Sequence, residues 1–200
     1  RTYLSKGMVG HAKKIDRQNV EQVFQLLGKN DYLVGIEPSA ILTFRDEYID
    51  LCKGELKEKA KSIAKQTLLI EEFLANESDA GRITADAFTD TASRIRIHGH
   101  CFQKVLSSVV PVKKILSLPR NYTPLLIPSG CCGMAGSFGY EKEHYDISMK
   151  IGELVLFPTI RSEKDTTLIS ASGTSCRHQI ADGTGRKAMH PVEILYAALK

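Results

Sequence analysis

The chain lacks any apolar run long enough to span a bilayer, and it carries no secretory signal peptide. It is poor in aromatic residues, 7% of 200, and its basic residues do not cluster. Lys53, Lys57, Lys59, Lys61 and Lys65 alternate with Glu55 and Glu58, as on a solvated helix face. The net charge of +4 is thus spread out, and neither DNA nor any other nucleic acid is an expected partner. The evenly spaced, even-numbered cysteines of secreted disulfide frameworks are missing too. Five irregularly placed cysteines fit a reducing compartment, where grouped thiols serve metal or redox chemistry. A cytoplasmic location follows, with membrane association peripheral at most, at the inner face of the plasma membrane. The composition, 42% hydrophobic and 25% charged, suffices for a core without disulfides. The chain opens Arg1-Thr2-Tyr3 without an initiator Met, and is expected to be a fragment of a longer protein.

Periodicity predicts a helix over residues 11–28, with Ala12, Ile15, Val20, Val23, Phe24 and Leu27 along one face. A buried strand follows at 32–36, then helices at 41–51 and 56–74. The polar, small-residue stretch 76–90 reads as the boundary between a first unit, 1–80, and a second, 91–200. The second unit alternates: strand 95–98, helix from Gln103, strand 124–128, helix 145–157 stopping before Pro158, strand 167–171. A last helix opens at His190-Pro191, with proline in a favoured first-turn position. Strands alternating with helices predict an α/β fold. The expected architecture is two related units with short, largely parallel sheets flanked by helices, the first unit truncated.

Sites in such sheets form at the carboxyl ends of strands. Cys101, Cys131, Cys132 and Cys176 each follow a predicted strand, so adjacent strands would deliver four thiols to one edge. The halves also echo each other, with Ala40 falling after its strand where Cys176 falls after its own. The long gaps between Cys101, Cys131-Cys132 and Cys176 are not zinc-finger spacings; the fold has to assemble the site. Convergent thiolates suit zinc or an iron–sulfur cluster. Adjacent side chains diverge and seldom share one tetrahedral ion, whereas a cluster offers several metal atoms. Gly130, Gly133, Gly136 and Gly139 permit unusual backbone angles and expose N–H groups that can bond to sulfur. The helix after this loop is expected to turn its positive end toward the site.

Other readings compete. A glycine loop before a helix can hold phosphate, though this one has no Walker-type Lys. Cys131-Cys132 can also be read as a thiol–disulfide pair, and Cys101 alone as a core thiol. Cys52 reads as packing, His144 as a helix-surface residue, and Arg45-Asp46-Glu47 as a solvated face. His98, His100, His178 and His190 each read as structural histidines before supports or spare ligands of a metal.

At Ile97-His98-Gly99-His100-Cys101, Gly130 to Glu141, and Ser172 to Ile180, the chain resembles the cysteine-rich "CCG" domain. That domain occurs in heterodisulfide reductases and in the iron–sulfur subunits of glycolate oxidase. The likeness is strongest to the carboxyl-terminal region of FAD-linked oxidases of the D-lactate and D-2-hydroxyglutarate dehydrogenase type. Gly35 to Ala40 and Phe44 to Glu47 resemble the end of a first such repeat. The resemblance implies an iron–sulfur electron-transfer module of a flavin-dependent oxidoreductase acting on CH–OH groups, inactive as a fragment. Cys101, Cys131, Cys132 and Cys176 would ligate a 4Fe–4S cluster, with zinc as the alternative metal. FAD would sit in a part of the protein outside this chain. Flavin and ferredoxin-like domains of the same longer chain, and a downstream electron acceptor, would be its partners. Gly173 and Ala40 stand where the family often has further cysteines. A zinc-stapled docking module and a thiol–disulfide protein remain the alternative functions.

Overall fold

In the computed structural model, which describes residues 1–200, Arg1–Ile70 and Glu71–Lys200 form separate units. The first unit runs α1 (Thr2–Ser5), α2 (Val9–Leu26), β1 (Leu33–Gly35) and α3 (Pro38–Ile41). A 3-10 turn (Leu42–Phe44), α4 (Glu47–Leu51), α5 (Glu55–Gln66) and β2 (Thr67–Leu69) complete it. β1 and β2 pair in parallel. Val20, Cys52, Ala60 and Ile63 form the unit's core, which gathers Val23, Leu27, Leu33 and Phe44 around it. Most of the apolar face read on α2 thus packs, while Ile15 and Phe24 stay exposed.

Two helices expected here are interrupted, for local reasons. The span 56–74 is broken by β2. Thr67 Oγ1 donates back to Ile63 O at 2.8 Å, and the Arg45 guanidinium donates to Thr67 O at 2.9 and 2.6 Å. Those bonds take the carbonyl out of a helical ladder and leave residues 67–69 to pair with β1. Arg45 is therefore a strand anchor and not part of a solvated face. Glu47 pairs with Arg1 at 2.5 Å. The span 41–51 starts earlier, at Pro38, and is divided by the 3-10 turn. The division between units also falls earlier than the polar stretch 76–90, at the junction of β2 and the next helix.

Inside the first unit, Cys52 Sγ donates to Asp16 Oδ2 at 3.2 Å with both residues buried. Burial raises the Asp16 pKa above the usual carboxylate value, and burial pushes the Cys52 thiol up to about 12. A carboxyl group with a raised folded-state pKa stabilises below its unfolded pKa, and that stability is lost as pH rises through the folded pKa. The wild type is expected to gain stability relative to Asp16→Asn as pH falls from 7 toward 4. Urea unfolding of both proteins across that range checks the sign.

The second unit begins at Glu71, within α6 (Ile70–Asp79), which a 3-10 turn (Ala85–Ala87) follows. Then come β3 (Ser93–His98), α7 (Cys101–Leu106), α8 (Val110–Leu116), β4 (Tyr122–Leu126), α9 (Tyr145–Glu153) and α10 (Leu156–Arg161). β5 (Leu168–Ala171), α11 (Thr174–Thr184), β6 (Ala188–Met189) and α12 (Pro191–Tyr196) end the chain. The sheet is wholly parallel, in the order β4-β3-β5-β6. The α/β architecture with short parallel sheets is as the alternation implied. The helix expected over 145–157 divides at Leu154-Val155, and Pro158 lies in the first turn of α10 instead of stopping a helix. A proline there costs no ladder bond, because first-turn N–H groups have no helical partner. No helix is long and apolar enough to cross a membrane.

The sheet is packed on both faces. Ile95 and Ile97 pack with Val112, Ile115 and Leu116 of α8 and with Ile194 of α12. Ile169, Ala171 and Ile127 pack with Leu156, Phe157 and Ile160 of α10 and with Ile180 of α11. The chain leaves β3 toward β4 on one side and leaves β5 toward β6 on the other. The carboxyl ends of β3 and β5 thus border the crevice that such a reversal of strand order opens. His98 stands opposite Ala171 at that end. The Phe157 ring is fully buried against Gly152 and Gly183, where any Cβ would collide with it. Phe157→Ala is expected to cost about 3–5 kcal/mol by urea denaturation.

Candidate metal centre

Each site cysteine is delivered by the end of a strand. Cys101 is the first residue of α7, just past β3, where His100 Nδ1 accepts the Phe102 N–H at 3.2 Å. Cys131 and Cys132 lie in the loop after β4, and Cys176 in the first turn of α11, past β5. All are free thiols. The sulfurs of Cys132 and Cys176 lie within 4.8 Å of each other, and Cys101 and Cys131 sit near enough to shift one another's acidity, as Cys131 and Cys132 do. Hydrogen bonds from Cys101 and then Cys132 draw the Cys131 thiol well below its usual pKa. The bond from Cys132 does the same for Cys176, helped by His98. Cys101 is pushed up by its bond to Cys131 and then by burial; Cys132 is pushed up by its bonds to Cys131 and Cys176 and then by burial.

Backbone amides complete the sulfur environment. The Gly133 N–H donates to Cys131 Sγ at 3.3 Å, and the backbone of Ala135 and Met134 acts to lower the Cys131 and Cys132 thiols. This matches the expectation that the loop's N–H groups bond to sulfur. The expectation about the following helix does not hold: two 3-10 turns intervene, and α9 begins only at Tyr145. The positive helix end instead comes from α11, whose first turn carries Cys176.

Gly133 is the residue the loop cannot replace. Its φ is +102°, and a Cβ there would overlap the Ser148 carbonyl. That close approach is fixed by a network. Ser148 Oγ donates to Gly133 O at 2.9 Å, while Gln179 Nε2 donates to Ser148 O at 3.1 Å and to its Oγ at 2.9 Å. On the other flank Lys104 Nζ donates to Ser129 O and Gly130 O, both at 2.6 Å. His98 Nδ1 and Ser129 Oγ share a hydrogen bond of 2.8 Å. Sequence reading missed Lys104, Ser129, Ser148 and Gln179. For Lys104 and Gln179 a signal existed: each sits three residues after a site cysteine, hence on the same helix face.

The remaining candidates separate. Cys52 lies in the core of the first unit, as its apolar neighbours implied. His100 and His190 cap α7 and α12; His190 closes a capping box with Glu193. His178 Nδ1 shares a 3.0 Å hydrogen bond with Tyr140 Oη. His144 lies in a 3-10 turn, with its ring stacked on Phe138 at 4.1 Å. His98 groups with the thiols: a ring nitrogen and the sulfurs of Cys132 and Cys176 all lie within 4.8 Å of one another. At residue 173 a Cβ would meet the His100 ring and come within 3.4 Å of Cys176 Sγ. In the first unit Ala40 occupies the place on α3 that Cys176 occupies on α11, beside a cavity of about 380 Å³ that Gly35, Glu37 and Ala40 help to line.

Contacting thiols, amide donors aimed at sulfur and a buried imidazole nitrogen make a donor set suited to a thiophilic metal, zinc or iron. The fold and site thus define an α/β unit with a sulfur-rich edge. No family model matches the chain, and no solved structure matches it. Among curated proteins it is similar to D-2-hydroxyglutarate dehydrogenase of Escherichia coli, 26% identical over 196 residues, 98% of this chain and 18% of that protein. The corresponding Pseudomonas putida enzyme is 27% identical over 193 residues, 95% of this chain and 17% of its own length. A subunit of the anaerobic glycerol-3-phosphate dehydrogenase of E. coli is 24% identical over 197 residues, 98% of this chain and 48% of the relative. The chain thus spans less than a fifth of the first two and about half of the third. By name all are dehydrogenases or a dehydrogenase subunit, which gives the chain an oxidoreductase context.

Gly133→Ala is expected to lose about 1–3 kcal/mol from overpacking alone, with left-handed backbone strain added. Gly130→Ala, where nothing lies within 4 Å of a new Cβ, is expected to be near neutral. Thermal unfolding of the pair checks the contrast.

Proposed function

We propose that this chain is the iron–sulfur electron-transfer module of a flavin-dependent 2-hydroxy-acid dehydrogenase. Cys101, Cys131, Cys132 and Cys176 are its metal ligands. The observation that carries the reading is that Cys101, Cys131-Cys132 and Cys176 each follow a strand of one parallel sheet at its carboxyl edge, with the Cys132 and Cys176 sulfurs within 4.8 Å of each other. A bound iron–sulfur cluster would supply one-electron acceptance and release. The chain's own residues shape the place for it. Cys132 and Cys176 are buried and Cys101 and Cys131 half-buried, so the inner pair is shielded from water while the outer pair is partly open to it. The amides of Gly133, Met134 and Ala135 place positive dipoles against sulfur, which favours the more negative state of a bound group. Lys104 holds the loop carbonyls and keeps the double-cysteine turn in register with α7.

The similarity to D-2-hydroxyglutarate dehydrogenases supports the substrate class, and the small share of those proteins that the chain spans supports flavin and further electron-carrying domains elsewhere in a longer protein. Electrons would pass from the flavin through this site to an acceptor. A zinc-held docking module is the second reading, favoured by the compact His98, Cys132 and Cys176 group.

Anaerobic incubation with ferrous iron and sulfide, followed by iron and sulfide assay and visible absorption, tests the proposal. Uptake of both, abolished or sharply reduced in Cys132→Ser and Cys176→Ser, is expected. A folded protein with reduced thiols that takes up neither rejects it, and one stoichiometric zinc with no affinity for iron and sulfide selects the docking reading.

A further inference from the structure

The strand that precedes Cys101 ends in a histidine whose chemistry the four-thiol reading leaves unused. His98 is 1% exposed, and its Nε2 is buried with no oxygen or nitrogen partner, the thiol group of Cys176 being its neighbour. Buried polar atoms are rarely left so, because nothing then repays the lost water. The other ring nitrogen is fixed by Ser129 Oγ at 2.8 Å. With Nδ1 engaged by that hydroxyl, Nε2 is the ring nitrogen left on the sulfur side, the arrangement in which a metal-ligating histidine is oriented through its other nitrogen. Backbone placement agrees. His98 is the last residue of β3, in register with Ala171 of β5, at the crevice where strand order reverses. On β3 it shares a face with Arg94 and Arg96, which both engage Glu163, so His98 alone of that row is directed to the sulfurs.

We propose that His98 is a metal ligand of this site, its Nε2 forming with the Cys132 and Cys176 sulfurs a three-donor corner that takes one borderline-soft metal atom. The proposal rests on the metal-centre reading above and adds a nitrogen to its ligand set. The three donors already lie within 4.8 Å of one another. Bond lengths of about 2.0–2.3 Å put donors on one tetrahedral ion roughly 3.3–3.8 Å apart, so closure needs a shift of about an ångström. Cys131, in contact with Cys132, supplies the next donor. Ser129 is a positioning residue: it holds the ring's orientation, while Lys104 holds the Ser129 carbonyl. Nitrogen from a rigid strand and sulfur from two loops give this corner a different donor character from the Cys101 end.

The test uses the full chain, reduced and metal-free under anaerobic conditions, titrated with cobalt(II) alone and then with zinc alone. X-ray absorption at the metal edge and the visible bands of cobalt report the ligands directly. Mixed nitrogen and sulfur coordination, with the multiple scattering of imidazole, is the expected result. His98→Ala and His98→Gln should lose the imidazole signal and weaken binding by more than the roughly tenfold expected of Ser129→Ala, which should keep the nitrogen. Circular dichroism melting confirms that each variant is folded. The wild-type spectrum does not depend on any variant folding. All-sulfur coordination in the wild type overturns the histidine assignment and leaves the thiol site standing. Failure of cobalt, zinc and iron alike to bind the reduced protein overturns both.

Discussion

The meeting of four sulfurs at the edge of one sheet is the constraint on which everything else in the second unit turns. A thiol is a weak donor and a weak acceptor, so the contacts between Cys101, Cys131, Cys132 and Cys176 cannot organise the fold. The fold has to organise them. It does so through topology: β4, β3 and β5 are neighbours and parallel, so the segments that leave them emerge at the same edge. The reversal of strand order keeps the exits from β3 and β5 from crowding each other. Apolar packing on both faces holds this arrangement rigid, with Phe157 wedged between Gly152 and Gly183 on one side.

Rigidity at the strands is matched by enforced shape in the loop. Gly133 accepts a left-handed φ and a backbone contact that no side chain would allow. Ser148 and Gln179, both buried and polar, spend their hydrogen bonds keeping it there. Lys104 performs the matching task from α7. Three helices thus converge on a few loop residues, which is more support than packing alone requires. The opposed shifts of neighbouring thiols follow from their crowding: a thiolate beside another sulfur in a buried place is costly, and a cation at the site would relieve that cost.

Much of this was legible in the sequence, and the limits are physical. The strands of the second unit were readable because Ile95, Ile97, Ile127 and Ile169 sit in short apolar runs bounded by polar turns. The convergence of cysteines followed from parallel-sheet topology once those strands were placed. β2 was not readable, because Thr67–Leu69 continues the apolar period of α5 and only the distant Arg45 and β1 turn it into a strand. The break between α9 and α10 is set at Leu154-Val155 by tertiary packing, and Pro158 gave a misleading stop because it suits a first turn as well as an end. Ser129, Ser148 and Gln179 carry no signature of their own, since their roles exist only through partners far away in the chain. His98 was visible as a polar residue ending a strand, but the surroundings of its Nε2 are a property of the folded state. The echo between units is local: α3 after β1 and α11 after β5 share a strand-to-helix step, with Ala40 standing where Cys176 stands.

The central claim is that the four thiols act together on one metal centre. Anomalous scattering at the metal edge, from crystals of the anaerobically loaded protein, tests it most directly. The account predicts a peak within bonding distance of the sulfurs of residues 101, 131, 132 and 176. Loaded crystals whose anomalous signal lies elsewhere, with those four sulfurs still free thiols, would contradict it.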